Sequence, residues 1–416
     1  MTEKLKTQPW MTAPATLAVI GALEAAGGAE SARFVGGCVR DAVLRRPVSD
    51  IDIATTLLPD QVIAALEAAS LRAVPTGIAH GTITAIAEGR PFEVTTLRRD
   101  VETDGRRAVV AFTTDWAEDA ARRDFRLNAL YLEADGTIND PTGEGLTDAR
   151  AGRIVFVGDA GTRIREDFLR ILRFFRFFAH YGQGEPDPVA LAACAALTDG
   201  LATLSAERVS KELLKLLAAD DPRLSVRLMA QTGALGALLP EAQGLVRLDG
   251  LVAIETEALF ETDPLLRLGA LLPDNAAVVE GAARRLRLSN AGRERLVGAC
   301  SDQVRIVSWL SPRELRRAVW RVGAASFKDR VKLGWAAAER RVTWPQWRML
   351  YVYPDTWPLP VFPLSASEIK AAGVPEGPLF GQVHQEVEDW WIDLDFIDDK
   401  MAAVERLKAV AQGLAY

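Results

Sequence analysis

The strongest constraint on the fold is a change in sequence pattern near residue 162. Upstream of it, short runs rich in β-branched and aromatic residues alternate with helix-like segments. The strand-like runs are RFVGG, IDIATT, GTITAIA, FEVTTL, NALYLE and IVFVG. Downstream of it, Ala, Leu and Arg recur at helical spacing and strand signals almost vanish. The sequence therefore predicts an α+β protein, with an N-terminal mixed sheet followed by an all-α remainder.

Composition excludes several classes of protein. No run of about 18 uncharged apolar residues is present, so we expect no membrane span. The first residues, MTEKLKTQPWMTAPA, lack the apolar core of a signal peptide. The 3 cysteines are far apart in the sequence, which is typical of reduced thiols in the cytoplasm and gives no metal-ligand spacing.

Charge is distributed unevenly along the chain. The net charge of −7 gives no general attraction to nucleic acid. Residues 281–350, however, hold 16 Lys and Arg against 5 Asp and Glu, whereas residues 386–399 are acidic. Two interpretations remain open at this point. The basic stretch binds a polyanion such as RNA, or it is an ordinary solvated helical surface.

The stretch FVGGCVRDAVLRRPVSDIDIATT, residues 34–56, carries the first candidate site. Asp50 and Asp52 are two apart in a predicted strand, so we expect both carboxylates on one face. Two close carboxylates repel each other unless a cation lies between them, and oxygen ligands favour Mg²⁺. Gly36 and Gly37 sit at a strand-to-helix turn, where backbone amides can approach a phosphate. The alternative is a strand end with two surface acids.

A third carboxylate favours the metal interpretation. Glu93 lies in the strand-like run FEVTTL and can reach the same sheet edge. Two metal ions with three carboxylates would suit an in-line attack on phosphorus. The usual motifs of phosphate loops, dinucleotide folds and zinc sites are absent from the sequence, namely GxxxxGK[ST], GxGxxG, HExxH and paired CxxC.

A larger set of motifs occurs in one order along the chain. They are GGCVRDAVL with SDIDIATT, GIAHGTITA, FEVTTLRRD, RRDFRLNAL, DPTGEGLTD, REDFLRILRFFRF, SAERVSKELLKLL, LPE at 239–241 and GVPEGPLFG at 373–381. This set resembles the class II nucleotidyltransferases of the tRNA CCA-adding and bacterial poly(A) polymerase family. The likeness is densest over residues 34–217. Two positions depart from the family: Glu144 replaces the second glycine of DPxGGxxDL, and SASEI replaces a glycine-aspartate before the last motif.

The resemblance implies a domain order and a set of site residues. It predicts a catalytic head over residues 1–150, a helical neck over 151–218, an RNA-binding helical body over 219–350 and a helical tail over 351–416. The implied catalytic residues are Asp50, Asp52 and Glu93, with Asp50 and Asp52 as metal ligands. The implied nucleotide-binding residues are Gly36, Gly37, Arg40, Arg123, Asp124, Asn128, Asp167, Arg170, Arg173 and Arg176.

The resemblance also assigns roles within this set. Gly37 and Arg40 would serve the triphosphate. Arg123, Asp124 and Asn128 would hold the ribose and the local frame, and the alternative for these three is a helix-capping and packing role.

The helix-like run REDFLRILRFFRF is the candidate for base selection. Arg170, Arg173 and Arg176 recur every third residue, and Asp167 precedes Arg170 by three, so these two can be neighbours. In the family, the matching Asp and Arg act as a protein template. The carboxylate accepts a hydrogen bond from the exocyclic amine of C or A, and the guanidinium donates to the ring, which would reject U and G. The alternative is a surface helix with an i,i+3 ion pair.

The predicted function is Mg²⁺-dependent, template-free addition of C, C and A to the 3′ end of tRNA from CTP and ATP. The tRNA would be recognised by shape and backbone through the basic helices after residue 281, and we expect a cytoplasmic monomer. Three alternatives are kept. A poly(A) polymerase should have a basic tail, whereas this tail is acidic or mixed. An enzyme adding only CC or only A is disfavoured by the intact segment 99–121. A non-catalytic RNA-binding protein should have lost a carboxylate.

Overall fold

The computed structural model describes residues 3–104, 107–302, 304–338, 341–397 and 399–413. Its contacts divide the chain into two compact units, Met1–Ala242 and Gln243–Tyr416. All described strands lie in the first unit, and the regular structure of the second is helical throughout its described residues. The predicted α+β class, a mixed sheet followed by helices, is therefore confirmed. The finer division into head, neck, body and tail stays a prediction.

The first unit contains nine described strands and eleven α-helices. The strands are β1 Ala32–Val35, β2 Asp52–Thr55, β3 Arg72–Gly77, β4 Thr82–Ala87, β5 Arg90–Thr96, β6 Arg98–Asp104, β7 Arg107–Phe112, β8 Tyr131–Leu132 and β9 Ile138–Asn139. The helices are α1 Pro14–Gly27, α2 Gly37–Val43, α3 Pro59–Ala68, α4 Trp116–Ala121, α5 Gly145–Ala151, α6 Ala160–Glu166, α7 Leu169–Tyr181, α8 Pro188–Ala196, α9 Ala206–Leu217, α10 Arg223–Gln231 and α11 Ala234–Leu238.

The second unit contains ten described α-helices. They are α12 Leu245–Glu257, α13 Pro264–Leu271, α14 Ala276–Arg285, α15 Asn290–Ala299, α16 Pro312–Val322, α17 Ala324–Ala336, α18 Trp344–Thr356, α19 Ala366–Ala371, α20 Pro378–Asp393 and α21 Lys400–Gly413. Among the described helices of the whole chain, none combines the length and the apolar character that a membrane span needs.

The main sheet has seven strands in the order β3-β4-β5-β2-β1-β8-β9, and β6 with β7 forms a separate two-stranded sheet. Only β2 and β5 pair in parallel, and the other neighbours in the main sheet are antiparallel. β1 is buried along its whole length, whereas β4 alternates between buried and half-buried residues. This pattern places β1 and β2 at the centre of the sheet, where the candidate site begins.

The strand predictions are mostly confirmed. RFVGG, IDIATT, GTITAIA, FEVTTL and NALYLE correspond to β1, β2, β4, β5 and β8. The prediction of a strand at IVFVG is wrong, because this run makes only a single bridge, from Phe156 to Phe125. The sequence did not predict β3, which contains Pro75. A proline is tolerated there because β3 is an edge strand whose register shifts between Val74 and Gly77.

The segment 99–121 forms parts of β6, β7 and α4. The preference for full CCA addition over partial addition rests on this segment. Residues 105 and 106 of this segment lie outside the described residues. The preference therefore stays a prediction.

The basic stretch 281–350 is largely compensated within its own unit. Arginines of α16 face acids at the end of α20 and just after it. The ion pairs are Arg316 with Asp395, Arg317 with Asp393 and Arg321 with Asp389. These arginines are therefore not a free basic face, and the acidic run 386–399 supplies their partners.

Candidate active site

The turn between β1 and α2 lies beside the start of β2. Gly36 has φ +71, a left-handed conformation that favours glycine. A Cβ atom at this position would lie 3.8 Å from Nη1 of Arg123 and 3.9 Å from Oδ2 of Asp52. Gly37 follows as the first residue of α2. The turn thus brings the backbone, the Arg123 guanidinium and the Asp52 carboxylate close together, and phosphate binding by the two glycines stays a prediction.

Asp52 and Glu93 are direct neighbours across the parallel strands β2 and β5. Paired residues in a sheet project to the same face, so the two carboxylates share it. The prediction that Asp50 lies in the same strand is wrong, because β2 begins at Asp52. Asp50 is exposed two residues earlier, and the Ser49 hydroxyl lies 3.1 Å from its Oδ2.

The electrostatics of Asp52 reflect this crowding of acids. Burial raises the pKa of Asp52 to about 6, with further upward contributions from the charges of Glu93 and Asp50, while Arg123 opposes the shift. Ionisation of Asp52 therefore costs more than that of an ordinary aspartate, because its charge lies close to other acids. This is an electrostatic setting that a bound metal ion would relieve.

The donor set fits a hard divalent cation. Asp52, Glu93 and Asp50 offer only carboxylate oxygens, the ligands that Mg²⁺ prefers. Within the described part of the chain, no group of three or more His, Cys, Asp or Glu side chains is arranged to hold a metal ion by itself. Mg²⁺ commonly needs only one or two protein carboxylates, because waters and substrate phosphates complete its octahedron. The arrangement thus fits an ion shared with a phosphate substrate.

Asp52→Asn should stabilise the metal-free protein at neutral pH. A native pKa near 6 lies above the ordinary value of 3.8, so ionisation of Asp52 destabilises the fold as pH rises from about 4 to 6. Below pH 4 the carboxyl is protonated in both folded and unfolded states and contributes nothing. The variant avoids the penalty, on the order of 1 to 3 kcal/mol, above pH 6.

The measurement is chemical denaturation of both proteins in chelator at pH 4 and pH 7.5. A stability difference of the same size at both pH values would contradict the assignment of the shift to Asp52. Adding Mg²⁺ at pH 7.5 should stabilise the wild type more than the variant.

Asp119 is an important residue that the sequence analysis missed. It is almost fully buried in α4 and accepts hydrogen bonds from Nη2 of Arg123 at 2.9 Å and from the Tyr131 hydroxyl at 2.7 Å. Burial opposes its ionisation, but the charges of Arg123 and Arg122 outweigh burial and lower the pKa of Asp119 to about 2. Its i,i+3 and i,i+4 spacing to Arg122 and Arg123 was the available signal. Asp119 holds Arg123 beside Asp52.

A second buried network joins α2 to α7. Nη1 of Arg40 donates to Oδ1 of Asn128 at 2.8 Å, and Nδ2 of Asn128 donates to Oδ1 of Asp124 at 3.0 Å. Asp124 in turn accepts from Nε of Arg173 at 2.7 Å. Burial works against ionised Asp124, but the charge of Arg173 and these hydrogen bonds prevail and lower its pKa. The structure therefore brings together four of the predicted nucleotide-binding residues.

This network has a visible structural role. Arg40 is buried and also donates from Nη2 to the Tyr181 hydroxyl at 2.7 Å, with its guanidinium 4.1 Å from the centre of that ring. It thereby fixes the last turn of α7 to the catalytic end of the sheet. The capping-and-packing alternative thus has support for Asp124 and Asn128, and the binding roles of the whole set stay predictions.

Helix α7 has the amphipathic pattern that the sequence predicted. Its phenylalanines at 174, 175, 177 and 178 are buried, and its arginines occupy the half-buried positions. Nε of Arg176 lies 3.1 Å from Oε2 of Glu212 on α9. The arginines of α7 therefore have different partners, since Arg173 contacts Asp124 in the loop after α4 and Arg176 contacts α9.

Asp167 and Arg170 are adjacent but engage different partners. Asp167 lies between α6 and α7, where its Oδ1 accepts from the Leu169 amide at 3.1 Å and its Oδ2 accepts from Nη2 of Arg208 at 2.6 Å. Arg170 instead donates to Glu166 at 2.5 Å. Arg208 was not among the predicted site residues, although its motif SAERVSKELLKLL was recognised. A selection site built on Asp167 therefore includes α9.

Two family sequence models match the chain. The one described as Poly A polymerase head domain covers residues 32–155. The one described as Probable RNA and SrmB-binding site of polymerase A covers residues 185–245. The first range contains the turn at Gly36, the Asp52–Glu93 pair and Asp119, and the second contains α9.

Similar proteins span most of the chain. The mitochondrial CCA tRNA nucleotidyltransferase 1 of Danio rerio is 32% identical over 364 residues, which is 86% of this chain and 83% of the relative. The CCA-adding enzyme of Streptococcus gordonii is 35% identical over 306 residues, covering 72% and 73% of the two chains. The crystal structure of the Bacillus stearothermophilus CCA-adding enzyme in complex with CTP superposes with a TM-score of 0.71 at 25% identity, covering 97% of this chain and 98% of that one.

Proposed function

Because the chain belongs to the CCA tRNA nucleotidyltransferase family, we propose that the site around Asp52 is where it joins nucleotides to RNA. The enzyme is a tRNA nucleotidyltransferase that adds C, C and A to the 3′ end of tRNA, with CTP and ATP as substrates. The observation that carries the site assignment is the pairing of Asp52 with Glu93 beside the Gly36 turn.

Nucleotidyltransferases of this family generally use a divalent metal, and we propose Mg²⁺ held by Asp50 and Asp52. When bound, such an ion supplies Lewis-acid chemistry that favours attack by a hydroxyl and neutralises charge on the leaving pyrophosphate. Because Mg²⁺ competes with the proton for Asp52, whose pKa is about 6 in the metal-free protein, we expect the affinity for Mg²⁺ to rise with pH up to that value. Glu93 lies beside Asp52 as the third carboxylate and completes the acidic face.

The remaining head residues position the substrates in this proposal. Arg123 adds a positive charge next to Gly36, where a triphosphate is bound through Gly36, Gly37 and Arg40. Asp124 and Asn128 hold the ribose-binding frame and keep α7 against the sheet through Arg173. Since these groups are already hydrogen-bonded to one another, little reorganisation is needed when the nucleotide binds.

Base selection is assigned to the junction of α6 and α7. Asp167 is one-quarter exposed, so its carboxylate can face a nucleotide while Arg208 holds its Oδ2. Arg170 remains the proposed donor to the base, and Arg173 and Arg176 orient the helix. Arg208 is added to the predicted set as the residue that positions Asp167.

Three further features are proposed rather than established. We expect a monomer. We also expect a cytoplasmic location, which agrees with the three cysteines, since all are free and buried. We also expect that tRNA contacts both units, beginning with the segment 185–245, which matches an RNA-binding family model.

The decisive assay uses tRNA that lacks its 3′ CCA end. The protein, Mg²⁺ and this tRNA are incubated with single or mixed triphosphates, and product lengths are resolved to one nucleotide. We expect addition of two residues with CTP alone and of three with CTP and ATP. A long ladder with ATP alone would indicate a poly(A) polymerase, and arrest at two residues with both triphosphates would indicate a CC-adding enzyme.

A further inference from the structure

One surface of the first unit carries positive side chains from two segments, which the end of α7 joins. Arg46 lies in the loop between α2 and β2, His180 lies in the last turn of α7, and Lys211 and Lys215 lie one turn apart on α9. Arg46, Lys211 and Lys215 are exposed. We call these three exposed residues the cationic surface.

Direct contacts hold the three segments together. Nε2 of His180 lies 2.7 Å from the carbonyl oxygen of Lys215, which joins the last turns of α7 and α9. The guanidinium of Arg46 lies 4.6 Å from the centre of the Tyr181 ring, a cation–π distance. The hydroxyl of Tyr181 in turn accepts a hydrogen bond from Arg40. The cationic surface is therefore connected through one side chain to the candidate active site.

The protein offsets the charges of this surface only in part. Within the described residues, no carboxylate forms an ion pair with Arg46, Lys211 or Lys215. Of the nearby acids, Glu212 pairs with Arg176 and Asp41 pairs with Arg40, and Asp220 acts electrostatically on His180.

The pKa directions are consistent with this excess of positive charge. Partial burial and the neighbouring cations Arg176, Lys211 and Arg173 lower the pKa of Lys215, although the charge of Glu212 opposes this. Burial, together with the charges of Arg176 and Arg46, lowers the pKa of His180, although its hydrogen bond to Lys215 and the charge of Asp220 oppose this.

The second unit provides the contrast. Its basic stretch has a higher local charge in the sequence, but the α16 arginines already pair with Asp389, Asp393 and Asp395. A polyanion at α16 would have to displace these acids, whereas a polyanion at the cationic surface would displace only water and counterions. Uncompensated charge, and not the count of Lys and Arg, therefore indicates where RNA binds.

We propose that Arg46, Lys211 and Lys215 bind backbone phosphates of the tRNA acceptor stem near its 3′ end. The proposal rests on the tRNA nucleotidyltransferase function and adds a specific RNA contact to it. Lys211 and Lys215 are exposed point charges whose Cβ atoms are about 5–6 Å apart on one helix face, a spacing that suits neighbouring phosphates. Tyr181 contacts both Arg46 and Arg40, and Arg40 belongs to the proposed triphosphate site, so we infer that the bound stem carries the reacting end of the tRNA.

The test is the salt dependence of RNA binding by the Lys211→Gln/Lys215→Gln variant. Both residues are exposed, so the fold should be unaffected. Loss of two phosphate contacts should reduce the slope of log Kd against log salt by about 1.5. The change should persist on a minihelix that contains only the acceptor and T stems. The apparent KM for CTP should match the wild type, because the surface binds RNA and not the triphosphate.

Arg316→Gln/Arg317→Gln is the matched control, because it removes two positive charges that the protein itself already pairs. The slope of log Kd against log salt for this control should match that of the wild type. An unchanged slope in the lysine variant, or an equal loss in the control, would overturn the proposal. Failure of the wild type to extend tRNA would reject the nucleotidyltransferase function instead, and the binding slopes are read independently of that result.

Discussion

Replacing Asp52 with asparagine should lower nucleotide incorporation by several orders of magnitude while leaving tRNA binding almost unchanged. Asparagine keeps the shape of the side chain but removes the charge that pairs with a metal ion. Asp52 faces Glu93 across β2 and β5, so its removal takes away one of the two carboxylates that share this face of the sheet. The measurement is single-turnover incorporation of CTP at saturating Mg²⁺ and tRNA.

The control is Asp60→Asn, which removes an exposed carboxylate from the start of α3. It should incorporate CTP as the wild type does. If Asp52→Asn also retained wild-type turnover, the metal assignment would be wrong. If metal-free Asp52→Asn is more stable than the wild type and also inactive, the Asp52 carboxylate lowers the stability of the fold but is needed for activity.

The sequence was most informative about the fold where its pattern was strongly periodic. Alternation in GTITAIA and the apolar run RFVGG were enough to predict β4 and β1. It failed at IVFVG, where Phe156 packs against Phe125 and Phe174 instead of joining a strand. An apolar run of this length satisfies either outcome, and only tertiary contacts decide between them.

Recognising site residues was easier than predicting their partners. The motifs indicated Asp52, Glu93 and Asp124 as candidates, but no spacing in the sequence indicated that Asp124 would pair with Arg173, 49 residues away. The basic stretch 281–350 shows the same limit, because its charge is visible in the sequence and its neutralisation by residues of 389–395 is not. Long-range pairing depends on the folded arrangement of helices, which local pattern does not specify.

The choice of base should depend on Asp167, which lies between α6 and α7, more than on any residue of these two helices. An ionised carboxylate only accepts hydrogen bonds, and a guanidinium only donates them. C and A offer an amine beside a ring-nitrogen acceptor, whereas U and G offer a carbonyl beside an N–H. A carbonyl facing Asp167 would leave polar groups unpaired, at a cost of about 1–3 kcal/mol. Nη2 of Arg208, 2.6 Å from Oδ2 of Asp167, fixes the direction of this carboxylate.

Asp167→Ala should therefore lower the preference for CTP and ATP over UTP and GTP by roughly tenfold to a hundredfold. It also removes the hydrogen bond to the Leu169 amide, so Asp167→Asn serves as a second variant that can retain this cap while presenting an NH₂ group to U and G.

Glu185→Ala, which removes an exposed acid between α7 and α8, is the control and should keep the wild-type preference. The measurement is kcat/KM for all four triphosphates on tRNA ending before each addition. Chemistry with CTP should survive in every variant, because Asp50, Asp52 and Glu93 are untouched. If both Asp167 variants kept the wild-type preference, α7 would be a structural helix and base selection would lie elsewhere.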